Sequence, residues 1–175
     1  MESRKVPWQL LGFAVTSFLG TILHFLYEWS GENVFAAFIS GVNESTWEHM
    51  KLIFFPMLFF GLFQSLFFKS DESFWSRKLT GILTGLLSIP LLFYGYNGII
   101  GTSPDWLNIS FFYIAAAIAF LTEAKALKKN KSYRISPFVS QCILLIIALS
   151  FFIFTFLTPH INIFRDPLTG AYGIV

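Results

Sequence analysis

The residues best suited to chemistry in this chain are its three histidines, and each has a carboxylate close by in sequence. His24 and Glu28 end a series, Gly12, Thr16 and Gly20, that recurs every fourth position. On a helix that spacing makes one slowly drifting face. The stretch Val42 to Lys51, VNESTWEHMK, packs Glu44, Glu48, His49 and Lys51 into ten residues. A third segment, Thr158 to Gly170, carries His160, Asp166 and Thr169 and is punctuated by Pro159, Pro167 and Gly170. Imidazoles and carboxylates together suit zinc and similar divalent ions. His24, Glu28, His49, His160 and Asp166 are therefore candidate metal ligands. Glu44 and Glu48 are candidate catalytic carboxylates, and an open coordination position beside them would activate water.

Several of these residues also have a plain structural reading, though Glu44 and His49 do not. His24 and Glu28 suit a polar pair at a helix end. Ser45 and Glu48 have the spacing of a capping box at a helix start. Asp166 and Thr169 suit a turn held by side-chain bonds to the backbone. No H-E-x-x-H or paired C-x-x-C fixes a ligand spacing, so a metal site requires three separate segments to converge. Walker, Rossmann, G-x-S-x-G and C-x-x-C-H motifs are also missing. Asn43-Glu-Ser45 and Asn108-Ile-Ser110 match the glycosylation triplet, a pattern common by chance.

Convergence depends on the elements that carry these segments. Of 175 residues, 55% are hydrophobic and 13% charged, and the mean hydropathy is +0.64. Soluble domains carry about 25% charged residues, and a chain this short cannot hide so much apolar surface in one core. The sequence reads as an all-α, polytopic transmembrane bundle forming a single domain. Five runs approach the roughly 20 residues that cross a bilayer: 8–27, 47–68, 79–100, 106–122 and 137–157. They must be helical, because lipid leaves backbone groups no other partners. Pro56 and Pro90 predict kinks. Val34 to Val42 is too short to span and reads as an interfacial or re-entrant piece. The first run is too long for a signal peptide and lacks a cleavage site. Trp8, Trp29, Trp47, Trp75 and Trp106 lie at or near run ends, where such rings favour the headgroup layer.

Ten of the twelve basic residues fall on one side of this arrangement: Arg4, Lys5, Lys69, Arg77, Lys78, Lys125, Lys128, Lys129, Lys131 and Arg134. The positive-inside rule places the N-terminus inside and the C-terminus outside. The expected location is the cytoplasmic membrane, with multiple passes. All three histidines and six of the ten acids then share the outer face. Gly81 and Gly85, with Thr80, Thr84 and Ser88 beside them, predict close helix contact. Gln64 and Gln141 should bond to neighbouring helices. The single cysteine, Cys142, excludes an intrachain disulfide. A net charge of +2 gives no reason to expect nucleic acid.

The string VNESTWEHMKLIFFPM, with HFLYEWSG before it and FRDPLTGAYGIV at the end, resembles a family of small bacterial integral membrane proteins of unknown function. The resemblance covers nearly the whole chain. It implies that His24, Glu28, Asn43, Glu44, Trp47, Glu48, His49, Asp166 and Tyr172 belong to a common pattern, but it supplies no mechanism.

Three functions compete. One is a divalent-metal site on the outer rim, acting on an envelope or lipid substrate. Another is a small-solute or proton transporter or sensor, for which histidine at a bundle mouth is suited. That reading is opposed by the lack of ionisable residues in the middles of the runs. The third is a structural or accessory membrane protein whose polar motifs lock helix ends. Membrane lipid is the expected partner in all three, and a homo-oligomer or a membrane partner protein stays open.

Overall fold

The apolar runs become long helices because their backbone bonds close internally while their side chains face outward or toward one another. The computed structural model describes residues 6–69, 71–101, 104–128 and 135–174. Arg4, Lys5, Lys129, Lys131 and Arg134, which weigh in the orientation argument, lie outside these. The elements are α1 (Val6–Trp29), α2 (Val34–Ala37), α3 (Thr46–Ser65), α4 (Phe74–Ile100), α5 (Asp105–Lys128) and α6 (Pro137–Phe156). A 3-10 turn, Asn162–Phe164, follows. Among the described residues there is no strand, only an isolated bridge between Arg165 and Tyr172. The short apolar piece before α3 holds only the four-residue α2.

Among the described residues, four helices are long and apolar enough to cross a membrane: 7–29, 74–100, 106–128 and 137–156. The expectation was five. The difference lies in α3, which is 20 residues long but carries Glu48, His49, Lys51 and Gln64. These lower its hydropathy, and its place in the fold explains how it tolerates them. All residues from Lys51 to Met57 are buried, with α1, α4 and α6 packed around α3. A helix that is apolar on all sides belongs inside other helices. The four others turn Leu10, Phe18, Leu91, Ile109, Leu121 and Leu145 outward, a surface that suits lipid.

Pro56 and Pro90 lie inside helices that run on past them. Close packing is set by small residues. A Cβ on Gly20 would meet the Leu52 carbonyl oxygen at 2.6 Å and the Phe112 ring closer still. Gly20 therefore lets α1 lie against α3 and α5, one turn below His24. Gly85 faces Ala119 of α5 and Ile53 of α3 in the same way. Beside it, Thr80, Thr84 and Ser88 each donate to the carbonyl four residues earlier, so α4 satisfies its own hydroxyls.

The first and last described segments lie at opposite ends of α3. Trp8 stacks with Phe67 and Phe68 beyond the C-terminus of α3, whereas the Gly173 carbonyl accepts from Asn43 just before the N-terminus of α3. The final segment folds back over this second end. There Phe164 stacks on Trp47, with ring centroids 4.7 Å apart, and the Tyr94 hydroxyl donates to the Asn162 carbonyl at 3.1 Å.

Candidate metal centre

Asn43 and Ser45 build the start of α3, and that start positions the reactive side chains. Ser45 is the N-cap, its Oγ accepting from the Glu48 amide at 3.3 Å. In a full capping box, the Glu48 carboxylate would return to the Ser45 amide. Here Asn43 Oδ1 takes that amide at 2.9 Å. Glu48 is thereby released for another task. One of its oxygens accepts from the Val42 amide at 3.1 Å and pairs with Lys51. The other accepts from Thr155 of α6 at 3.4 Å. Lys51 Nζ also donates to the Ala37 carbonyl and to Thr155 Oγ1, both at 2.9 Å. Glu48 is 2% and Lys51 0% exposed. A buried pair of this kind holds only when further hydrogen bonds satisfy it. It ties the 37–45 loop to α3 and α6, and that loop carries Glu44.

Glu44 projects between the two imidazoles. One carboxylate oxygen lies 3.5 Å from His49 Nε2, and the other lies 3.8 Å from His24 Nε2. The two rings have centroids 5.4 Å apart. One ligand atom from each of His24, Glu44 and His49 lies within 4.8 Å of the others, the only such group among the described residues. His49 Nδ1 is 3.0 Å from the Ser45 carbonyl. A carbonyl only accepts, so Nδ1 carries the proton. In the neutral ring, Nε2 then presents a lone pair to a carboxylate, which also only accepts. Two acceptors facing each other call for a cation between them, either a proton or a metal ion. An Nδ1 proton bonded to a backbone carbonyl is also the usual outer support of a ligating histidine.

The group borders a cavity of about 50 Å³. Glu44, Thr46, His49 and Asn108 are its polar lining, while Phe93, Phe111 and Leu168 are among its apolar walls. A three-ligand set of two histidines and a glutamate would leave a fourth position open, and two of the three residues, Glu44 and His49, line the cavity.

The other candidates stand elsewhere. Glu28 is exposed on the last turn of α1. His160 stacks on Tyr172 with centroids 4.8 Å apart, outside the three-residue group. Asp166 holds a turn, its Oδ1 accepting from the Leu168 amide at 2.8 Å and its Oδ2 from the Thr169 hydroxyl at 2.9 Å.

Sequence reasoning did not find a second polar cluster at the opposite end of α3. There Lys78 Nζ donates to Glu123 at 2.8 Å, with the two side chains 1% and 3% exposed. Phe60, Phe74 and Phe120 surround the ammonium at 5.4–6.0 Å. Arg77 pairs with Asp71 nearby. A signal did exist. Lys78 falls one residue before the run 79–100 and Glu123 one residue after the run 106–122, at the same expected level.

A family model described as a family of unknown function (DUF6512) matches residues 1–174, and the chain belongs to that family. No curated protein matches the chain, and no solved structure does.

Proposed function

We propose that this member of a family of unknown function is a multi-pass membrane protein whose His24, Glu44 and His49 hold a divalent ion such as zinc. The observation that carries the reading is the meeting of His49 Nε2 and a Glu44 oxygen at 3.5 Å, with Nδ1 already committed to the Ser45 carbonyl. Two of the three segments expected to converge supply this group: α1 gives His24, and Val42 to Lys51 gives Glu44 and His49, while the segment of His160 and Asp166 stands apart from it. Glu44 acts as the third ligand. Glu48 acts as a positioning residue, since its oxygens are bonded to Val42, Lys51 and Thr155.

The chemistry such an ion supplies is activation of water at its open position, which lowers the pKa of that water to about 7. The adjoining apolar cavity favours a substrate with an apolar group next to a hydrolysable bond, which fits a lipid or lipid-linked envelope molecule. With the N-terminus inside, the centre lies on the outer face. Held by His24, Glu44 and His49, such an ion would supply an activated water for hydrolysis of an ester or amide bond.

A second reading is structural, and the same distances favour it when both imidazoles are protonated. Glu44 then forms ion pairs with His24 and His49 that lock the loop onto α1 and α3. Elemental analysis of purified protein, after zinc loading and removal of excess, separates the two. The metal reading expects about one equivalent in the wild type and less than a tenth of that in His24→Ala/His49→Ala, with membrane yield retained. Metal-free wild type, or equal metal in the variant, sinks it. Loss of yield without any metal in the wild type supports the structural reading.

A further inference from the structure

At the end of the bundle away from the histidines, α1 and α5 enclose a second opening. It is a groove of about 330 Å³ lined by Gln9, Leu10, Phe13, Ala117, Phe120, Leu121, Ala124 and Lys128. Ala117 and Ala124 leave the space that larger side chains would fill. The lining is ordered along its length. Gln9 and Lys128, its only polar members, stand at the helix ends, one at the start of α1 and the other at the close of α5. Away from them the wall is entirely apolar.

We propose that this groove binds one anionic phospholipid, with its head against Lys128 and one acyl chain along Phe13, Leu121 and Ala117. The inference rests on the multi-pass reading and is independent of the metal reading. Its length commits it to a lipid chain. From Ala117 to Lys128 the helix rises about 16 Å, close to half of a hydrocarbon core of about 30 Å. One leaflet's chain therefore fits between the cation and the middle of the bilayer. Charge commits it to an anionic head. Lys128 is exposed at the mouth, and ten of the twelve basic residues fall toward this end by sequence. Basic pockets between helices at such a surface select anionic headgroups. Gln9, the other polar member of the lining, is 9% exposed and its side chain bonds Glu123, which leaves Lys128 as the polar group open at the mouth.

The test is native mass spectrometry of detergent-purified protein exchanged into mixed micelles. The probes are dioleoylphosphatidylglycerol, dioleoylphosphatidylcholine or oleate. The expected result is one phosphatidylglycerol retained per chain, at least tenfold above phosphatidylcholine. Retention falls to the phosphatidylcholine level in Lys128→Gln, and in Ala117→Leu, which fills the groove. Lys125→Gln, exposed on the same helix and outside the groove, leaves retention unchanged. Equal retention of the two phospholipids overturns the proposal. An equal loss in Lys125→Gln also overturns it, because the effect is then surface charge alone. Retention of oleate without phosphatidylglycerol overturns the phospholipid assignment. Zinc content is followed in the same samples, so failure of the metal reading leaves this result standing, and the reverse also holds.

Discussion

Protonation decides what His24, Glu44 and His49 can do. Metal and proton compete for the same imidazole nitrogens. Zinc retention should therefore be full at neutral pH and fall as the medium is acidified below about pH 6, where free imidazole takes up protons. Equilibrium dialysis at several pH values checks this, and flat retention down to pH 4.5 would count against histidine ligation. Ser45→Ala removes the N-cap of α3, which costs about 1 kcal/mol. It should weaken zinc binding as well as stability, because the same turn fixes Glu44. Lys78 and Glu123 make a sharper case. Glu123→Ala leaves a buried ammonium unpaired and should cost about 3–5 kcal/mol. Lys78→Met/Glu123→Leu removes both charges and should recover most of that loss, as read from thermal unfolding in detergent. The histidines and Glu44 were identifiable from residue type and spacing. The Lys78–Glu123 pair was not, because two isolated charges at run edges look like ordinary ends until two helices are seen to lie side by side.

Helices here pack through places where side chains are absent. In lipid there is little hydrophobic drive between helices, so close contact carries the association. Gly20→Leu places carbon where the Leu52 carbonyl and the Phe112 ring already sit. Overpacking of this kind typically costs about 1–3 kcal/mol, and it should also shift His24. Gly95→Ala, where an added Cβ meets nothing within 4 Å, is the matched control and should leave unfolding and zinc content unchanged. The stripe Gly12–Thr16–Gly20–His24 was legible as a contact face because the fourfold spacing is a property of the helix itself. Its partners, α3 and α5, were not. The run at α3 read as a span by length, and its Glu48–Lys51 pair is inside the protein. Enclosure by neighbours lets a helix keep charges that lipid would expel.

Across the whole molecule, the two described ends of the chain lie at opposite ends of α3, a helix about 30 Å long. The topology expected from the sequence has an odd number of crossings. With the N-terminus inside, a tag on the C-terminus should be accessible to an impermeant reagent in intact cells. An N-terminal tag should be protected until the cells are permeabilised. Both tags responding alike would reject the expected topology.

Composition and run length alone established an all-helical protein suited to a membrane, because the roughly 20-residue period of apolar sequence is imposed by the bilayer rather than by any partner helix. The same local rules marked the start of α3 and the turn at Asp166, since caps and Asx turns form between near neighbours. Helix adjacency was decided only in three dimensions. It brought His24 to Glu44 and His49, left His160 against Tyr172 and Asp166 in its own turn, and buried Lys78 against Glu123. Contacts between distant segments depend on which faces fit together, and a single sequence states each face without naming its mate.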